Sequence, residues 1–477
     1  MHVSGYGAFH RDQCRAGGTR VADQREVNVR LAEFVVRVGW SRKELARRVN
    51  QRAKTRGVHL GTDASRVRHW LEGQHPQPPV PEVLSELFSE RLGYPVLPAE
   101  LGLPAVPEHG LGLWYAESVA ATVVALAELG RYDVLRRDFL HQGPFLAVAT
   151  IAPSHEWLLA ILDATQRRPG SRIGEHQLSV IQGAFDDFAE ADALHGGGHA
   201  RRALAEYLVG RVLPMLRDVD PRSDTGAALF AAASEQASLL GWMAIDDDRP
   251  ALGQRYLIQA LRLAQESGDA ALGAGVLVGM SHQALMLGYP REARQLAITG
   301  RHGLAKAYDP VRASGLWAAE AQAHAALGDT AAAVHAVVES ERAFENIDTR
   351  ATDGRTRFVD NAHLSGLWAE VFVELRRPVE AARFARRSIS AAADQNRARR
   401  EVLSQVALAR AGVARNDLDT ALRAAHRAVD LSSTVQSSRC LTALRDLRFH
   451  ISPYRKVSAV REFDERARDV LTPPHLN

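Results

Sequence analysis

Few side chains in this chain stand at spacings that could do chemistry. His195 and His199 flank three glycines, and imidazoles four residues apart on a helix could share one metal ion. Three glycines favour a turn instead, because glycine gives up the most conformational freedom in a helix. The segment therefore reads as a joint between helices. Gly273, Gly275 and Gly279 miss the G-x-G-x-x-G spacing of a dinucleotide loop, and no strand pattern precedes them. Ser281 lacks the second glycine of a nucleophile elbow. His155 and Glu156 open like a zincin helix, but Leu159 stands where its second histidine belongs. The carboxylate runs Asp186–Asp187 and Asp246–Asp248 fall at helix ends or turns, where capping and solvation account for them. No G-x-x-x-x-G-K-[ST] loop is present. The chain does not read as an enzyme, and neither a catalytic residue, a metal site nor a cofactor is expected.

Arginine carries a clearer message. Of the 59 basic residues 55 are arginine, a bias that fits a GC-rich coding sequence and says nothing alone about phosphate binding. Between Arg25 and Glu72, basic residues exceed acidic ones by seven, whereas the whole chain carries only +3. The remainder is therefore mildly acidic, a division expected where one module meets an acidic polymer. Within that module Leu31, Phe34, Val35 and Val38 mark one face of a helix over 28–38. Ser41 and Glu44 match a capping box. The helix it opens turns Leu45, Ala46, Val49 and Ala53 inward. Thr62 or Asp63 can cap a third helix ending at Gly73, with Val67, Trp70 and Leu71 inward. A fourth follows Pro81. This spacing predicts a helix-turn-helix in which Ser65, Arg66, Arg68 and His69 reach base edges of double-stranded DNA. Arg42, Lys43, Arg47 and Arg48 would contact phosphates, adding affinity without sequence information. The competing reading is a small four-helix domain with solvated arginines.

The longer remainder is helical and repetitive. Asp248, Gly288, Gly328, Arg376 and Asn416 each sit in a turn-forming stretch between two helical runs. Seven residues before, five after and twelve after each anchor, every position is Ala, Gly or Ser. A sixth copy anchored on Gly198 follows the same rule, and Leu135 and Phe139 after Gly130 hint at another. Small residues at these offsets let paired helices approach closely. The offsets resemble those of the tetratricopeptide repeat (TPR). The anchors lie 40, 40, 48 and 40 residues apart, against roughly 34 in the standard unit, so helices or turns must be longer. Trp242, Trp317 and Trp368 could line a ligand groove or simply pack the solenoid.

The stretch Gly39 to Asn50, followed by Ser65-Arg66-Val67-Arg68-His69-Trp70-Leu71-Glu72-Gly73 and Pro76, resembles the Cro/repressor-like (XRE) helix-turn-helix. The whole chain resembles actinobacterial transcriptional regulators that join such a domain to C-terminal TPR repeats. Members of that group are described as repressors of sporulation and antibiotic production. The resemblance thus implies a repressor of development or secondary metabolism. One departure is the connector from Lys54 to Gly61, longer than the usual few residues, which bears on the angle of the third helix.

The expected fold is all-α: a small helix-turn-helix domain joined to an α-solenoid of TPR-like helical hairpins. Its expected divisions are a flexible tail over 1–26, the DNA-binding domain over 27–94 and a Pro/Gly linker over 95–112. Degenerate helical repeats over 113–190, TPR-like repeats over 191–450 and a tail over 451–477 follow. Two cysteines exclude a disulfide scaffold. The absence of an apolar leader and of a run of about 18 apolar residues points to a cytoplasmic protein. A homodimer is expected, since such domains pair across palindromes. The repeats would supply the dimer surface or a groove for a peptide or protein. The alternative is an interaction scaffold in which the basic module is accessory.

Overall fold

The computed structural model of the protein describes residues 27–55, 60–76, 80–92, 96, 98, 100–103, 111–116, 118–134, 145–163, 175–217, 219–347, 359–395 and 397–472. The fold is all-α, with no strand among the described residues. Two compact units divide the chain, Met1–Ala105 and Val106–Asn477.

The first unit holds α1 (Val29–Val38), α2 (Arg42–Thr55), α3 (Ala64–Leu71) and α4 (Val80–Leu92). The Asn28 side chain caps α1 by accepting from the Leu31 N–H at 2.9 Å. Gly39 ends it at φ 71°, a left-handed turn that costs glycine no Cβ clash. Leu31, Leu45, Val49, Val67, Leu84 and Phe88 are wholly enclosed. Phe34 meets the Phe88 ring edge-on and Trp40 stacks on it.

The expected linker over 95–112 is corrected. Val96, Leu101 and Leu103 are buried in this same core, and the Asn28 amide donates to the Gly102 carbonyl at 3.1 Å. Pro98 and Gly102 lie in turns that bring these apolar side chains back to the core, where the Leu103 N–H donates to the Pro98 carbonyl at 2.9 Å. Leu111 and Leu113 are instead buried in the core of the second unit. There the Gln259 amide donates to the carbonyls of Gly112 and Trp114 at 3.0 and 2.9 Å. Pro104, Pro107 and Gly110, like the expected tail over 1–26, lie outside the described residues.

The second unit is an α-solenoid. It opens with α5 (Val119–Val134), α6 (Val148–Asp163), α7 (Glu175–His195) and α8 (Gly197–Tyr207). Five hairpins follow, beginning with α9 (Asp224–Asp246) and α10 (Pro250–Ser267), then α11 (Ala270–Met286) and α12 (Pro290–Gly303). Next come α13 (Pro310–Ala326) with α14 (Thr330–Glu345), and α15 (Asn361–Glu374) with α16 (Pro378–Asp394). The pair α17 (Ala398–Ala414) and α18 (Leu418–Ser432) precedes α19 (Ser438–Ile451) and α20 (Ser458–Leu471).

The five anchors are the turns of the five hairpins, with φ from 56° at Arg376 to 84° at Gly288. At each, the following residue donates its N–H to a carbonyl five positions back, as Arg249 does to Ala244 and Arg377 to Phe372, both at 2.8 Å. This is the Schellman closure of a helix end. The second helix then starts with proline at Pro250, Pro290 and Pro378, or with the side-chain caps Asp329 and Asp417. All the small positions around these anchors are buried. A Cβ on Gly241 would stand 2.8 Å from the Leu257 side chain. The Ser281, Ser340 and Ser388 hydroxyls donate across to the carbonyls of Ala293, Ser314 and Ala362 at 2.8, 2.7 and 2.6 Å. The one 48-residue interval has its extra length between α14 and α15, where 348–358 lie outside the described residues.

Two expectations differ. The copy on Gly198 does not hold: Gly196, at φ 90°, makes the turn, and Ala203 and Gly210 are exposed. That joint meets a different neighbour. A Cβ on Gly196 would stand 2.0 Å from the Gln436 carbonyl oxygen, and one on Gly197 would stand 2.5 Å from that of Met243. The glycines thus allow the chain before α19 to dock on the α7–α8 joint, where the Gln436 N–H donates to the His195 carbonyl at 3.0 Å. The tail expected over 451–477 contains α20, whose Val460, Phe463 and Ala467 are buried beside Leu444 and Leu447. One apolar face against the last repeat and one wet face make it a capping helix. Leu135 and Phe139 lie outside the described residues.

Candidate functional site

The exposed edge of α3 is held from three sides. Asp63 caps the helix by accepting from the Arg66 N–H at 2.8 Å. Val67 and Trp70 are buried in the core below. Gly73, at φ 90°, closes the far end, where the Gln74 N–H donates to the His69 carbonyl at 2.9 Å. Across the long connector, the Asn50 amide of α2 grips the backbone of Thr62. Its nitrogen donates to the Thr62 carbonyl at 2.7 Å, and its oxygen accepts from the Thr62 N–H at 2.9 Å. This two-point clamp sets where α3 begins whatever the path of 56–59, which lie outside the described residues. Ser65, Arg66 and Arg68 are exposed, His69 is partly buried, and Arg68 reaches Glu72 at 3.5 Å.

Arg42 and Lys43 are exposed on the first turn of α2. The Ser41 hydroxyl accepts from the Glu44 N–H at 3.1 Å, but the Glu44 carboxylate turns to Arg47 and Arg48 at 2.8 and 2.7 Å. The Arg47 hydrogen bond, with Arg48 adding to it, draws Glu44 down to about 2. Arg48 also lies over the Trp40 ring at 4.7 Å. Both arginines therefore hold an internal partner. Exposed pairs of this kind are held weakly.

A cavity of about 850 Å³ opens inside the second unit. Its apolar wall includes Leu239, Trp242, Val276, Leu403 and Val406, and its charged wall includes Arg397, Arg399, Arg400 and Arg439. Of the three tryptophans only Trp242 lines it, 5.4 Å from the His282 ring. Trp317 carries the Arg301 guanidinium 3.7 Å above its ring. Trp368 is enclosed and donates its indole N–H to the Ser340 hydroxyl at 3.0 Å. The three do not converge.

Asp246 is the hub behind the charged wall, and solvation does not explain it: it is 1% exposed. It accepts from the Ser437 hydroxyl at 2.6 Å, Arg439 at 2.8 Å, Arg399 at 2.9 Å and the Gly197 N–H at 3.1 Å. Arg399 also reaches Asp192 at 2.7 Å. Burial alone would raise the Asp246 carboxyl, but Arg439 and Arg399 outweigh it and hold the group well below its usual range. His282 is lowered to about 3 by burial first, then by Arg439 and Arg400. His363 is lowered by burial, then by Arg400 and Arg397. Sequence reasoning missed these residues because they share no position in the repeat register. Among the described residues no cluster of three or more His, Cys, Asp or Glu could hold a metal ion, and no helix is long and apolar enough to cross a membrane.

Residues 31–104 match the family described as the SP15 N-terminal domain. The match stops within the first unit and takes in Val96, Leu101 and Leu103, the segment that packs into that core. No curated protein matches the chain.

Proposed function

We propose that the protein is a sequence-specific DNA-binding transcriptional regulator, homodimeric and cytoplasmic. In this reading α2 and α3 form a Cro/repressor-like helix-turn-helix. The TPR-like repeats provide the dimer surface or bind a peptide or protein. Repression of development or secondary metabolism rests on the resemblance to actinobacterial regulators of that organisation. The observation that supports the reading best is α3 itself. Its inner side is fixed by Val67 and Trp70 and its start by the Asn50–Thr62 clamp, while Ser65, Arg66 and Arg68 are exposed. A helix so held presents donors suited to guanine edges, with Arg42, Lys43, Arg47 and Arg48 on the preceding helix for phosphates.

The test is selection of preferred sites from a random duplex pool, followed by a salt titration on the selected site. Specific binding should exceed random-duplex binding by at least about a thousandfold and should weaken steeply with salt. Unchanged sequence preference in the double variant Arg66→Ala/Arg68→Ala would refute the base-reading assignment. Absence of any preference in the unaltered protein would favour the interaction-scaffold reading.

A further inference from the structure

We propose that the solenoid cavity binds a small organic carboxylate with an apolar body, its charged end directed at the arginines of α17 and α19. The inference does not depend on DNA binding. The cavity volume of about 850 Å³ falls within the range of small-molecule pockets. Its two ends differ in charge. The N-terminal ends of α15, α17 and α19 bring His363, Arg399 with Arg400, and Arg439 to the wall, and Arg397 joins them just before α17. The C-terminal ends of the same helices bring Glu374, Arg410 and Asp446, roughly 10–16 Å further along at 1.5 Å per residue. The remaining charged lining residues are Arg312, Glu235, Asp248, Asp192 and Glu370.

Each arginine of that end already holds a carboxylate. Arg397 is bound by Asp360 at 2.6 Å, Arg399 by Asp192 at 2.7 Å and Asp246 at 2.9 Å, Arg400 by Glu370 at 2.6 Å and Arg439 by Asp246 at 2.8 Å, but Asp246 and Asp360 do not line the cavity. Four arginines therefore line that end, with two of their partner carboxylates, Asp192 and Glu370, in the lining beside them. His282 and His363 register the same field, since these arginines add to burial in keeping both rings neutral. Neutral imidazoles remain able to donate to an anion. Helix N-termini add partial positive charge of the same sign. Apolar surface from Leu239, Trp242, Val276, Leu403 and Val406 is available for the body of the ligand.

The experiment titrates the full chain by calorimetry with decanoate, decanol and decylamine, each below its aggregation limit. A second arm compares an N-acetylated apolar tripeptide bearing a free C-terminal carboxylate with its amide. The expected result is saturable binding of at least one carboxylate, one per chain, about tenfold or more tighter than its uncharged counterpart, with decylamine weakest. The arm that binds separates an acyl carboxylate from a peptide terminus. Leu403→Trp, which fills the cavity, should abolish that binding while leaving helicity unchanged. If neither carboxylate is preferred over its neutral counterpart, or if a folded Leu403→Trp protein binds as before, the proposal is overturned. Should Leu403→Trp not fold, the ratios on the unaltered protein decide.

Discussion

Arginine does opposite things in the two units. In the first, Arg66 and Arg68 stand exposed on a short helix, and the pairs Arg47 and Arg48 make with Glu44 are surface pairs. In the second, Arg201 is 2% exposed, bound by Asp133 and Asp247, and Arg399 joins Asp192 to Asp246 across elements far apart in sequence. The same side chain is a replaceable surface donor in one place and an internal strut in the other. Composition cannot separate the two; burial and the presence of a fixed carboxylate can.

The contrast can be broken most forcefully at Asp246. Asp246→Ala leaves Arg439 without its buried partner and Arg399 with Asp192 alone, and should cost about 3–5 kcal/mol. In calorimetry the loss should fall on the unfolding of the second unit, with that of the first unchanged. Equal loss in both would contradict a local role for Asp246. The matching change in the first unit, Arg66→Ala, should leave the melting temperature unchanged and, on the proposed function, weaken the selected site by about 1–3 kcal/mol.

Acid should also separate the units. The folded values of His282 and His363 lie below the ordinary unfolded value near 6.5. Their contribution is therefore complete above that pH and is lost as pH falls, by up to about 1.4 kcal/mol per unit for each ring. Melting curves between pH 7.5 and 5 should show the second unit weakening, and His282→Gln should flatten the slope. The smallest effect belongs to the turns. Arg376→Gly relieves a non-glycine residue at φ 56° and should gain about 0.5–1 kcal/mol, whereas Gly328→Ala at φ 78° should lose about 1. Denaturant midpoints of the two variants check the sign.

Much of the local architecture was legible before any coordinates. Leu31, Val35 and Val38 marked the buried side of α1, and the five repeat anchors predicted the turns because helix ends demand left-handed or capping residues at fixed offsets. Asn50 lay inside the recognised motif, yet nothing local says that its amide will hold Thr62 twelve residues on. The apolar residues of 96–103 were hidden by proline and glycine. Those of α20 were hidden by its high content of charge.

What the sequence determined alone is periodic and short-ranged: the all-α class, the hairpin register, and the small residues that let helices touch. These follow from steric and hydrogen-bonding demands satisfied within a few turns of chain. Only tertiary structure decided that the joint at Gly196 would receive the chain before α19, and that Asp246 would gather Arg399, Arg439 and Ser437. It likewise decided that a charged cavity would open inside. Each of these joins groups some 150 to 240 residues apart, and no local pattern specifies such meetings. They arise from the summed curvature of every hairpin between.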